Sequence, residues 1–156
     1  MTTPPPTVLV VEDDPSTLTG YVEILGNAGL RASGVANGVE ALIIARRTHP
    51  DVIVTDIKMP GLDGLSLAHA LLSDPLTRDI PIIGVTGRWT ADVGTQAARI
   101  GIRTLLLKPC IPDQLLAEIR GALKGNSNGE QPGKRWTGIF GTILSRFNPS
   151  RFRGAP

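Results

Sequence analysis

The stretch Val52-Ile53-Val54-Thr55-Asp56 decides the fold. Four residues of high strand propensity end abruptly on a carboxylate. The apolar side chains are consecutive and do not alternate, which is the pattern of a strand covered on both faces. Three further runs have the same form: Val8-Leu9-Val10-Val11 into Glu12-Asp13, Ile82-Ile83-Gly84-Val85 into Thr86, and Leu105-Leu106-Leu107 into Lys108. As parallel strands they would set their C-terminal ends side by side, where open α/β sheets bind ligands. Three carboxylates, a hydroxyl and an ammonium would then share one pocket.

Helical periodicity fills the gaps between these runs. Leu18, Tyr21, Val22 and Leu25 mark a first helix between Pro15-Ser16 and Gly26-Asn27. Leu30 to Val35 alternates apolar and polar, as a half-exposed edge strand should. A second helix carries Val39, Leu42 and Ile43 and ends near His49-Pro50; a third follows Gly64 with Leu65, Ala68 and Leu72. A fourth uses Val93, Ala97 and Ile100, and the last presents Leu115, Ile119, Ala122 and Leu123 after Pro112-Asp113. The expected fold is α/β: a (βα)5 doubly wound, parallel, five-stranded sheet of flavodoxin-like order 2-1-3-4-5. That order brings Glu12, Asp13 and Asp56 together at the switch point.

The 156 residues are 41% apolar, enough for one core. Up to Lys124 there are 11 Lys+Arg against 13 Asp+Glu, a net −2; from Gly125 onward five cations face Glu130, a net +4. A mildly acidic domain is thus followed by a basic tail. The reading is a disordered Thr/Pro leader at 1–6, a domain at 7–124, a flexible linker at 125–133, an amphipathic helix at 134–148 and a basic disordered tail at 149–156. One cysteine, Cys110, excludes an internal disulfide and suits a reducing compartment. The N-terminus is not that of a signal peptide, and no segment reaches the roughly 18 apolar residues of a membrane span. A cytoplasmic location is expected.

The motifs VLVVEDD at Val8, DIKMPGLDG at Asp56, VTG at Val85 and LLLKP at Leu105 occur in order, each at a strand end. Together they make residues 7 to 124 resemble the receiver domain of two-component response regulators, in the single-domain, chemotaxis-regulator-like form. The resemblance implies Asp56 as phosphoacceptor. It implies Mg²⁺ held by Glu12, Asp13, Asp56 and the main-chain carbonyl of Lys58. Thr86, Gly87 and Lys108 would bind the phosphoryl group and switch, and Lys108-Pro109 would be a cis peptide. The chemistry agrees: a carboxylate nucleophile forms a labile acyl phosphate. A hard cation offsets three clustered acids, and a lysine is a compact partner for a phosphoryl oxygen. Asp14 falls one position past the acidic pair and reads as a helix cap. Asp63 and Gly64 read as a helix start, Cys110 as a small buried residue, and His49 and His69 carry no ligand role.

Several positions depart from the family. Leu105 stands where an aromatic ring usually couples phosphorylation to output. Gly87 leaves access to the pocket open. Gly94 and a scarcity of apolar anchors make the fourth helix a weak element, and Trp89 sits in the loop before it, which is expected to move. Lys58 and Arg88 flank the pocket mouth and are expected to tune the lifetime of the acyl phosphate.

In the tail, Trp136, Ile139, Phe140, Ile143, Leu144 and Phe147 trace one helical stripe, interrupted by Gly138 and Gly141. Such a short helix is marginal alone, and three readings remain open. It docks on this domain, its dimer mate or a partner protein; it lies on an anionic membrane surface; or it is disordered. The expected partners are a sensor histidine kinase or His-phosphotransfer protein and a downstream protein target, with a homodimer possible. About 32 residues are too few for a dedicated DNA-binding domain. The rival is an unphosphorylated receiver-like adaptor with a vestigial pocket, which Leu105 favours. A phosphohydrolase would need a second acid where Lys58 stands, and a flavin carrier a phosphate loop after the first strand.

Overall fold

The computed structural model describes residues 2–127. The 134–148 stripe, the 149–156 tail and most of the linker lie outside the described residues. Strands β1 (Thr7–Val11), β2 (Arg31–Val35), β3 (Val52–Asp56), β4 (Ile82–Thr86) and β5 (Thr104–Leu107) form one parallel sheet of order β2-β1-β3-β4-β5. They alternate with α1 (Pro15–Asn27), α2 (Gly38–Thr48), α3 (Gly64–Ser73), α4 (Ala91–Ile100) and α5 (Pro112–Ser127). The fold class read from the sequence is therefore the one observed.

Successive strand residues point to opposite faces, and both faces are buried. Leu9, Val11, Ile53, Ile82 and Leu105 pack with Leu67, Leu71 and Ala97 on one side. Val8, Val10, Val52, Val54, Ile83, Val85 and Leu106 pack with Leu25, Leu115 and Ile119 on the other. Each fully buried Leu, Ile or Val contributes about 1.5–3 kcal/mol, so the unbroken strand runs carry the fold. Register aligns Val11 with Thr55 and Asp56 with Val85, setting the loaded residues at one sheet edge.

Side chains start the helices. Asp14 accepts from the Thr17 amide at 2.8 Å, Asn37 from Glu40, Asp63 from Ser66 and Thr90 from Val93. Asp14 and Asp63 thus act as caps, as expected. Gly101 closes α4 in the left-handed region at φ 104°.

The helix faces were read less well than the strands. Val39 and Ile43, expected to pack inward, are 58% and 53% exposed. The inner face of α2 is instead Gly38, Ala41 and Ala45, because the helix approaches its neighbours too closely for larger groups. A Cβ on Gly38 would lie 2.6 Å from the Leu62 carbonyl oxygen. Likewise α3 buries Leu67 and Leu71, while Leu65 and Leu72 are partly covered. Pro6, read as part of a disordered leader, accepts a hydrogen bond from the Arg31 amide at 2.8 Å. Helix α5 continues through Gly125 to Ser127, into the segment read as linker.

Both ends of the described chain are tied to the N-terminal edge of the sheet. Asp51 Oδ2 accepts from the Thr7 amide at 2.7 Å and from the Thr7 hydroxyl at 3.0 Å. At the far end of the chain, Arg103, just before β5, lies along Gly121 and Gly125 of α5. A Cβ on Gly125 would be 3.1 Å from Arg103 Nη1.

Candidate functional site

The site begins with strand termini. Asp56 is the last residue of β3, and Glu12 follows β1, held there by its amide bond to the Val35 carbonyl at 3.1 Å. Ligand oxygens of Glu12, Asp13 and Asp56 all lie within 4.8 Å of one another. Glu12 is 2% exposed and Asp56 7%, while Asp13 faces solvent. A charged carboxylate so placed needs a counter-charge. Lys108 supplies it from the end of β5: its Nζ donates to Glu12 Oε2 at 2.7 Å and to Asp56 Oδ2 at 3.1 Å. The other Asp56 oxygen accepts from the Lys58 amide at 3.3 Å, and Glu12 Oε1 from the Asp14 amide at 3.1 Å.

Burial raises the pKa of Glu12 above the usual carboxylate value, and this outweighs the opposing bonds from Lys108 and the Asp14 amide. Burial acts on Lys108 in the lowering direction. Its bonds to Glu12 and Asp56 prevail, so its pKa is raised and the ammonium is firmly charged. Asp14 is held low by its bonds from Thr17 and belongs to the helix cap.

Thr86 ends β4 beside this group, but its hydroxyl is turned away. It donates to the Arg88 carbonyl at 3.0 Å and accepts from the Arg88 amide at 3.3 Å. Gly87 is exposed, and a Cβ there would meet nothing within 4 Å. Lys58 and Arg88 are both exposed. The Lys108-Pro109 peptide is cis. Leu105 does not line the pocket; it is buried, with its δ1 carbon 2.8 Å from where a Gly84 Cβ would stand. Burial raises the pKa of Cys110, which is half-buried where the sequence reading had it buried.

Two glycines have a closer part in the site than the sequence reading gave them: Gly64, which was read only as a helix start, and Gly84. The Gly64 Cα faces the main chain of Asp56, and a Cβ on Gly64 would strike the Asp56 carbonyl. Its amide bonds the Ile57 carbonyl at 2.8 Å, so the β3–α3 loop folds back onto the acceptor strand. Gly84 is bare because Ile57 and Leu105 both occupy the space over it. The one available signal was a glycine immediately after the Asp63 cap, at a helical position open to most residues.

A parallel doubly wound sheet, with clustered acids and a lysine at its carboxyl edge, defines a receiver-type signalling module. The family model described as the response regulator receiver domain matches residues 8–120, and the chain belongs to that family. It is similar to protein PilH of Pseudomonas aeruginosa, 33% identical over 118 residues covering 76% of this chain and 98% of PilH. The transcriptional regulatory protein PrrA of Mycobacterium leprae is 35% identical over 119 residues, 76% of this chain and 50% of PrrA. The chain thus spans about half the length of the PrrA relatives it matches. The chemotaxis protein CheY4 of Vibrio cholerae superposes with a TM-score of 0.73 at 28% identity, covering 76% of this chain and 99% of CheY4. Residues 8–120 are therefore a receiver domain of the two-component response regulator family, which is a family of signalling modules. No helix among the described residues is long and apolar enough to cross a membrane.

Proposed function

We propose that Asp56 accepts a phosphoryl group from a histidine kinase or His-phosphotransfer protein and that the resulting charge changes the domain's protein contacts. The observation that carries this reading is the Lys108 ammonium bridging two buried carboxylates beside a third, within one open site. An Asp56 oxygen attacks phosphorus; the new O–P bond forms as the donor's N–P bond breaks, and the donor imidazole keeps the electron pair. Water attack at phosphorus later frees phosphate and restores the carboxylate.

The donor set fits a hard divalent cation, because carboxylate oxygens at this spacing are what such ions take. Glu12, Asp13, Asp56 and the Lys58 main-chain carbonyl would hold Mg²⁺, which supplies charge neutralisation for phosphoryl oxygens when bound. The protein's own residues do the remainder. Lys108 exchanges a carboxylate partner for a phosphoryl oxygen, and the Thr86 hydroxyl leaves Arg88 to donate to the same group. Lys58 and Arg88 at the mouth restrict water and lengthen the phosphorylated state.

A second reading, a phosphate-independent adaptor, draws on Leu105, whose buried side chain cannot swing a polar ring. Incubation with acetyl phosphate and Mg²⁺, followed by intact-mass measurement, separates the two. Gain of one phosphoryl mass that Asp56→Asn abolishes supports the acceptor. An unmodified wild-type chain supports the adaptor.

A further inference from the structure

The loop between Thr86 and α4 is held at both ends. At one end the Thr86 hydroxyl clasps Arg88 through its carbonyl and its amide. At the other, the next residue, Trp89, lays its indole against Gly94 of α4. A Cβ on Gly94 would lie 3.3 Å from both Cζ2 and Nε1 of that ring. A side chain at this position would push the ring back by a few tenths of an ångström, so the bare glycine sets how closely it seats on the helix. Thr90 then caps α4 by accepting from the Val93 amide, and its carbonyl accepts from the Gly94 amide at 3.0 Å. Thr86, Arg88, Trp89 and the first turn of α4 are thus linked without a gap.

The weight of that link follows from what else anchors α4. Its buried residues are Gly94 and Ala97, the smallest available, with Val93 and Ile100 partly covered. Trp89 packs into the same core cluster and brings far more apolar surface than either. The helix therefore rests on the ring of the loop before it. Two residues before Thr86 on the same strand, the space over Gly84 is filled: Ile57 and Leu105 crowd it from carbons 2.9 and 2.8 Å from where its Cβ would stand. Packed aliphatic groups of this kind repack little.

We propose that Trp89 is the positioning residue that transmits displacement of the Thr86 hydroxyl into α4, through its seat on Gly94. The inference rests on Asp56 being the acceptor. When the hydroxyl turns to a phosphoryl group, both bonds to Arg88 are lost, the Gly87-Arg88 turn opens, and the ring carries α4 with it. Output is then read at α4, without a moving group at Leu105.

The test uses the full chain with Trp136→Phe, which leaves Trp89 as the sole tryptophan. Beryllium fluoride with Mg²⁺ serves as the phosphoryl mimic. Fluorine NMR reports occupancy, indole emission reports the ring, and amide hydrogen exchange reports α4. The expected result is bound fluoride, shifted emission and a several-fold change in α4 exchange. Trp89→Leu and Gly94→Ala should keep the fluorine signal and lose most of the α4 response. Trp89→Phe, which retains a ring, should recover part of it. Because the readout is the change on binding, a merely structural role leaves it intact, and a variant that fails to fold is replaced by the other two. An α4 response in Trp89→Leu equal to that of the parent overturns the proposal, as does unchanged indole emission at full occupancy. Absence of bound fluoride in the parent chain overturns the acceptor reading itself, and this inference with it.

Discussion

Replacing Lys108 with methionine keeps most of the side-chain volume and deletes the charge between Glu12 and Asp56. At an effective dielectric of about 20, contacts of 2.7 and 3.1 Å are each worth roughly 5–6 kcal/mol before desolvation. Removing one partner of a buried pair costs about 3–5 kcal/mol net. The Lys108 side chain is 26% exposed, so solvent screening places the loss near the lower end, about 3 kcal/mol. The pH dependence has a definite sign. The penalty in Lys108→Met is that of an ionised Glu12 whose pKa already stands above its ordinary value in the parent. Protonating Glu12 relieves it, so the gap to wild type narrows as pH falls through the raised Glu12 range and widens toward neutrality. In wild type, the Lys108 contribution is complete below the ordinary lysine pKa and is lost only as pH climbs through its raised value. Urea unfolding of both chains followed by circular dichroism, with EDTA present, at about pH 5 and about pH 8 tests this. A variant as stable as wild type at the higher pH, or a gap that grows on acidification, refutes it.

Three further outcomes follow from the same geometry. Gly64→Ala should cost on the order of 4 kcal/mol or prevent folding, since a methyl meets the Asp56 main chain; an unfolding midpoint like that of wild type argues against the contact. Asp14→Ala should lose about 1 kcal/mol through the α1 cap and leave phosphorylation by acetyl phosphate unchanged, which separates it from the acidic cluster. Lys58→Asn combined with Arg88→Asn should shorten the phosphoprotein half-life, followed by mass spectrometry after donor removal; an unaltered decay rejects a guarding role.

The strand ends were legible because buried parallel strands write themselves as uninterrupted apolar runs, and the residue that breaks each run is the one in the pocket. Glu12, Asp13, Asp56, Thr86 and Lys108 all emerged that way. What stayed hidden depends on distances between elements remote in sequence. Val39 and Ile43 have the periodicity of a core face, but the close approach of α2 gives that face to Gly38, Ala41 and Ala45. Gly64 and Gly84 are bare because of neighbours that no local pattern names. The Lys108 partnership with Glu12 spans 96 positions, and the Thr86 hydroxyl turns to Arg88 by a local loop preference. Gly94 has the sequence signature of a weak helix, but its bare backbone is the seat of the Trp89 ring.

The Thr7–Asp51 clasp and the Arg103 side chain along Gly121 and Gly125 place both ends of the described residues at the pole opposite the carboxylates. A fluorescent protein or affinity handle joined there leaves the carboxyl edge of the sheet uncovered. Helix α5, from Pro112 to Ser127, is the element that joins the two poles, so a handle at one of them reports on the other only through its length.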